Sequence, residues 1–451
     1  MIAQSTMDNS LPSPLLGGLS PADFMRRHWQ KKPLLVRQAV PGGVDLIARA
    51  RLFDLASHDD RQLRPDARRR HNRRMDVDVA LALLAGMTPQ QFMRRHWQKR
   101  PLLVRGALAD VVPPLSRAEL FRLVGCDEVE SRLIVHRGGT WSLRQGPLKR
   151  AMLPPLKQRE WTLLVQGLDL HVPAARALLD RFRFVPDARL DDLMLSYASD
   201  GGGVGPHVDS YDVFLLQAQG RRRWRIGRVR SPELAPDAPL KILANFEPED
   251  EWLLESGDML YLPPGWGHDG VAEGECTTCS IGFRAAGRDE IARDVMQRVL
   301  EAADAETGGP LYRDPKQAAT DAPARIPAVL QAFAGDAVQR LLRDPDALGC
   351  ALGEVLSEPK RGVWFDAGTR SDPAESVGLM LDQRTRMLYD DRHVFINGES
   401  FRAAGRDAVL MRRLADRRSL RAHELEGLSN EARALLGDWS ESGWLRTAEA
   451  L

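Results

Sequence analysis

Cysteine is scarce in this chain, with four in 451 residues (Cys126, Cys276, Cys279, Cys350). That number is too small for a disulfide framework at this length, so a cytoplasmic setting is expected. No apolar run reaches the roughly 18 residues needed to cross a bilayer, and no membrane partner is expected. The N-terminus, MIAQSTMDNSLPSPLLGGLS, lacks the basic start and long apolar stretch of a secretory signal. Net charge of one sign is also missing. The formal value is +1, so the chain as a whole does not attract nucleic acid electrostatically.

The length predicts two to four structural units, and the 43% apolar content suits a globular protein. Residues 15–64 align without gaps onto 83–132, with 26 of 50 positions identical. The strongest match is FMRRHWQKKPLLVR (24–37) against FMRRHWQKRPLLVR (92–105). Two copies are too few for a solenoid, so this is a partial tandem duplication. Seven arginines in 61–74 mark a solvated linker between the copies. Each copy predicts a short helix capped by Ser20 or Thr88, with proline at its first position, followed by a β-type LLVR run. SRAELFRLV reads as another capped helix.

Residues 192–285 change character. Short apolar runs (DLMLSYA, YDVFLLQAQ, RRRWRIG, DMLYLPP, TTCSIGFRA) alternate with glycine and proline, which predicts a β-sandwich or barrel. Helical periodicity returns after 288, in RDEIARDVMQRVLEAAD and IPAVLQAFAGDAVQRLLRD. From about 373, short strands precede two amphipathic helices, which suggests a small winged-helix-like module.

The chemistry concentrates in GGGVGPHVDSYDVFLLQ (201–217). On a strand, residues two apart share a face, so His207 and Asp209 are expected side by side, with Asp212 facing the other way. Fifty-nine residues after Asp209, a Pro-Pro turn in GDMLYLPPGWGHDG is expected to deliver His268. Two imidazoles and one carboxylate form the facial triad of non-haem iron(II) oxygenases, which leaves three coordination positions open. A lone His-x-Asp pair is usually structural; the glycine run, the barrel-like context and the downstream histidine favour the metal reading. Cys276-x-x-Cys279 has no second pair and lies in a predicted strand, so a zinc site is not expected there. A 2-oxo acid cosubstrate needs a cation for its distal carboxylate. GRRRWRIG (220–227) offers Arg222 on one strand face and Arg221, Arg223 and Arg225 on the other, without saying which face looks inward.

These segments resemble a known family, the JmjC-type ribosomal oxygenases, and within it the bacterial branch acting on an arginine of large-subunit ribosomal protein sixteen. The resemblance is carried by RHWQKRPLLVR (95–105), SRLIVHRGGTWSLRQGP (131–147), WTLLVQGL (161–168), DDLMLSYASDGGGVGPHVDSYDVFLLQAQGRRRWRIG (191–227), GDMLYLPPGWGHDG (257–270) and SIGFRA (280–285). It implies an α+β chain whose core is a double-stranded β-helix of the cupin/JmjC type. The implied units are a duplicated segment and linker (1–75), the oxygenase domain (76–287), a helical dimerisation region (288–370) and a winged-helix-like C-terminal domain (371–451). Carried over by position, His207, Asp209 and His268 are catalytic Fe(II) ligands, Arg222 and Ser196 bind 2-oxoglutarate, and Ser280 is a further polar neighbour. With O2 as second cosubstrate, the implied reaction couples decarboxylation of 2-oxoglutarate to hydroxylation of the arginine β-carbon of a ribosomal protein, in a homodimer. The copy at 15–64 departs from the family pattern.

Two other readings are an oxygenase acting on a different residue or protein, and a non-catalytic metal-binding cupin-like module. Succinate release with candidate peptides separates them. The seven arginines between 402 and 421 raise nucleic-acid binding, but without recognition-helix chemistry a structural or protein-protein role is expected.

Overall fold

A computed structural model describes residues 76–236, 238–305, 310–316, 324–368 and 378–447. The first repeat copy and the arginine-rich linker lie outside the described residues. The second copy forms α1 (Pro89–Arg95), where Thr88 and Gln91 close a capping box and Pro89 opens the helix. Strand β1 (Leu102–Val104) follows. Helix α2 (Arg117–Leu123) starts from a second capping box, Ser116 with Glu119.

The sheet strands then come in order: β2 (Ser131–Arg137), β3 (Thr140–Gln145), β4 (Trp161–Val165), β5 (Leu190–Ala198), β6 (His207–Val208), β7 (Asp212–Arg228), β8 (Asp250–Leu254), β9 (Met259–Leu262) and β10 (Trp266–Phe283), with α3 (Pro173–Leu179) between β4 and β5. Together with β1 they form one ten-stranded sheet in the order β1-β9-β7-β10-β5-β4-β2-β3, with β6 added to β10 and β8 to β7. The predicted runs YDVFLLQAQ and RRRWRIG are one strand, β7, which bends at Gly220 (φ 69) rather than stopping.

Both faces of the sheet are buried, which explains unbroken apolar runs such as VFLL. Along β7, Phe214 and Leu216 join the large core, whereas Val213 and Leu215 join a smaller cluster with Trp224, Ile226, Leu254, Leu260 and Leu262 inside the barrel. The second repeat copy docks on the outer face. Phe92 is fully buried, with its ring 5.0 Å from Tyr261 and 5.5 Å from Phe214. Trp97 packs edge-on to Phe283 at 5.6 Å. Truncating a buried aromatic of this kind costs about 3–5 kcal/mol.

Beyond the sheet come α4 (Arg288–Ala305), α5 (Ala328–Arg343) and α6 (Pro345–Ser357). The last falls within the expected helical region 288–370, although its glycine-containing DALGCALGEVLS blurs the apolar period. It packs on the C-terminal strands, where Gly353 lies directly against the Phe395 ring. The C-terminal part contains β11 (Gly378–Leu381), β12 (Met387–Tyr389), β13 (His393–Ile396), β14 (Glu399–Arg402), α7 (Gly405–Arg417), β15 (Ser419–Arg421), α8 (Ala422–Leu425), α9 (Asn430–Glu441) and β16 (Leu445–Thr447). No helix among the described residues is long and apolar enough to cross a membrane.

Candidate active site

His207, Asp209 and His268 come together so that one ligand atom from each lies within 4.8 Å of the others. Among the described residues they form the one such histidine, cysteine and carboxylate group. The route differs from the sequence expectation in two places. Strand β6 ends at Val208, so Asp209 sits just past it rather than on a continuous strand. The Pro263–Gly265 turn does not itself present His268; that residue is the third of the 18-residue strand β10. Ladder pairing of His207 with His268 brings the two rings to 4.2 Å. Gly203 permits this, because a Cβ there would lie 2.6 Å from the Gly270 carbonyl oxygen on β10.

The donor set suits a divalent metal. A carbonyl can only accept, so His207 Nδ1–H donates to Gly205 O (2.9 Å) and His268 Nδ1–H donates to Trp266 O (3.1 Å). Both Nε2 lone pairs are thereby left for a metal. His268 Nε2 and Asp209 Oδ2 are 3.6 Å apart, too long for a hydrogen bond. Burial, and secondarily the neighbouring His207, lower the His268 pKa to about 4, against the opposing pull of Asp209. The ring therefore stays neutral, as a ligand must. Tyr211 is pushed well above the usual phenol range, first by burial and then by Asp209, so it keeps its proton beside that carboxylate.

The facing of β7 is also decided. Opposite residues of an antiparallel ladder share a face. His268 pairs with Ile226, Gly270 with Trp224 and Ala272 with Arg222, so Arg222 looks inward along with His268. About 13 Å of strand separates Ile226 from Arg222. Arg222 is buried, and both of its terminal nitrogens donate to Ser196 Oγ at 3.2 Å. Its Nε has no partner, and it makes no ion pair among the described residues. By contrast, Arg223 pairs with Glu251 and Glu273, and Arg225 with Asp269.

Ser280 is buried on the interior face opposite Leu215. Sequence reasoning missed two more interior polar groups, Thr278 and Gln217, whose side chains hydrogen-bond at 2.9 Å. The signal was a polar residue at the inward parity of an otherwise apolar strand. Asp212 does face away, fully buried, accepting from Tyr261 Oη (2.6 Å) and Gln98 Nε2 (3.1 Å). Cys276 and Cys279 belong to different clusters and share no ligand geometry.

Comparison with known proteins agrees with this architecture. A JmjC domain model matches residues 177–291, and a ROXA-like winged helix model matches 340–446. The ribosomal protein uL16 3-hydroxylase of Escherichia coli (strain K12) is 37% identical over 271 residues, covering 60% of this chain and 71% of that protein. The chain belongs to the JmjC-type ribosomal oxygenases. A probable ribosomal oxygenase of Haemophilus influenzae is 36% identical across 46% of this chain and 52% of that one. The solved E. coli ribosomal oxygenase YcfD in complex with cobalt and 2-oxoglutarate superposes with a TM-score of 0.67 at 31% identity, covering 80% of this chain and 99% of the other. This member of the family therefore combines a JmjC barrel with a winged-helix module.

Proposed function

We propose that this chain is an iron(II)- and 2-oxoglutarate-dependent oxygenase that hydroxylates the β-carbon of an arginine in large-subunit ribosomal protein sixteen. The observation that carries the cosubstrate is Arg222. A buried guanidinium without a counter-ion costs several kcal/mol, and here it shares one barrel face with the triad of His207, Asp209 and His268. The distal carboxylate of 2-oxoglutarate supplies the missing charge, Ser196 orients the guanidinium, and Ser280 is a polar neighbour on the same face. Support for the substrate comes from the relative named a uL16 3-hydroxylase, and support for the metal and cosubstrate from YcfD solved with cobalt and 2-oxoglutarate.

The three ligands suit iron(II), which, when bound, supplies the oxygen chemistry: 2-oxoglutarate, O2 and a C–H group become succinate, CO2 and C–OH. The protein's part is orientation and exclusion of water. Arg222 fixes the cosubstrate, the apolar interior wall of Leu215, Trp224, Ile226, Leu254 and Leu260 keeps the site dry, and the two Nδ1–H bonds hold the histidines in the ligating tautomer.

We also propose a homodimer in a cytoplasmic setting, without direct nucleic-acid contact. Helix α5 supports the dimer: it is apolar on one side yet has no buried residue, with Val329, Phe333, Val338 and Leu342 exposed. In the C-terminal domain, Arg402, Arg413 and Arg417 are already paired with carboxylates within the chain, which reduces the positive charge free for phosphate. The deciding experiment incubates the protein with purified ribosomal protein, Fe(II), 2-oxoglutarate and O2. Equimolar succinate and a single oxygen on one arginine are expected. Succinate without a modified arginine would move the assignment to another target.

A further inference from the structure

The segment carrying His207 and Asp209 is held differently from the rest of the barrel. Its ladder consists of two pairs, His207 with His268 and Val208 with Gly267. The remaining support comes from outside the sheet. Leu243 N–H donates to Pro206 O (2.8 Å), and Gly265 N–H donates to Asp209 O (3.1 Å). At Gly205 the support is apolar: a Cβ there would lie 3.2 Å from Trp141 Cζ2 and 3.3 Å from the Ile242 side chain. Trp141 is in turn stacked on His136, its cross-strand partner in the β2–β3 hairpin, with centroids 4.1 Å apart and planes inclined by 17°.

Gly205 matters because its carbonyl accepts the Nδ1–H of His207. The acceptor for His268 is Trp266 O, which is part of the long β10–β7 ladder and cannot turn away. Gly205 belongs to no strand; Pro206 after it narrows its ψ range, but no backbone ladder fixes its φ 78 conformation, which glycine tolerates. The side chain that faces this glycine from the hairpin is the indole of Trp141.

We propose that Trp141, backed by His136, is a positioning residue that clamps the Gly205 peptide and so sets the tautomer and aim of His207. The inference rests on the reading of His207, Asp209 and His268 as metal ligands. Trp141 lies on β3, which ends the sheet order, and is only half-buried. Its removal should therefore disturb the ligand more than the fold. Losing the outer partner of a ligating histidine typically weakens metal binding by about 10- to 100-fold; losing the clamp on that partner should approach the same range.

The test uses the full chain with Co(II) as probe, titrated by visible absorption, together with melting of the metal-free protein. W141A should bind Co(II) about 10-fold more weakly or worse, H136A should show a smaller loss, and W141F should restore most of the affinity, with little change in metal-free melting. A second readout needs no metal: nitrogen-15 NMR of the histidine rings should show His207 as the Nδ1–H tautomer in the parent protein and as a mixture in W141A. Parent-like Co(II) affinity and an unchanged His207 tautomer in W141A would overturn the proposal. So would a W141A protein that loses its metal-free fold while W141F does no better. If the parent chain binds no Co(II), or H207A binds it equally well, the metal reading fails, and the ring spectra still decide the clamp.

Discussion

The two halves of the proposed metal site are built on opposite principles. His268 is the third residue of a long strand paired on both sides at that point, and Arg222 lies on its neighbour in the same ladder. His207 and Asp209 stand on a loop that touches the sheet for two residues and is then held by turns and side chains. A ladder positions a residue through many backbone bonds, so no single side chain matters greatly to it. A braced loop depends on a few contacts, each of which matters.

That contrast can be broken or sharpened by experiment, and the largest effect should ignore it. Alanine at Asp209 or at His268 removes a ligand outright, and either variant should lose metal retention and turnover, as read by bound iron after gel filtration. Retention of iron by D209A would remove Asp209 from the site.

The next effect is confined to the ladder half. R222A removes a charge-assisted partner worth about 1.5–3 kcal/mol, so the 2-oxoglutarate requirement should rise roughly 10- to 100-fold. Iron binding should be nearly unchanged. R223A, on the outer face of the same strand, should leave the cosubstrate requirement alone. A reversed pair of phenotypes would contradict the inward facing of Arg222.

Acid should also act through the ladder half. The folded pKa of His268, about 4, lies below its unfolded value near 6.5. The unfolded chain therefore takes up the proton first. The contribution of His268 to stability is full above pH 6.5 and is lost as the pH falls toward 4, on the order of 3 kcal/mol for the metal-free protein. Urea melts across that range should show the decline, and H268Q should flatten it.

A smaller packing effect is expected at Gly270, where a Cβ would lie 2.6 Å from the Trp224 ring. G270A should destabilise the protein by about 1–3 kcal/mol through overpacking, visible as a lower melting temperature. The smallest effect concerns the acidic stretch 247–258. Glu251 is paired with Arg223, and Glu249 accepts from the Arg228 N–H, so part of its charge is already engaged. Neutralising Glu249, Asp250 and Glu251 together should raise the apparent KM for a basic substrate modestly at low salt and hardly at all at high salt.

Much of this was legible in the chain itself. Caps at Thr88 and Ser116, the punctuated strands read in 192–285 and the C-terminal helices are local signals, and local signals survive folding because they satisfy backbone groups within a few residues. His207, Asp209 and His268 stood out because their residue types and glycine-rich setting are rare together. What the chain alone could not say was parity. Arg221, Arg222, Arg223 and Arg225 are equivalent until the register with β10 assigns one face to the barrel interior, and a shift of one residue would exchange them all. Nor could it show that Asp209 lies beyond its strand, that Thr278 meets Gln217, or that Trp141 faces Gly205, more than 60 residues away. Those are contacts between segments distant in sequence, and only closure of the sheet brings them together.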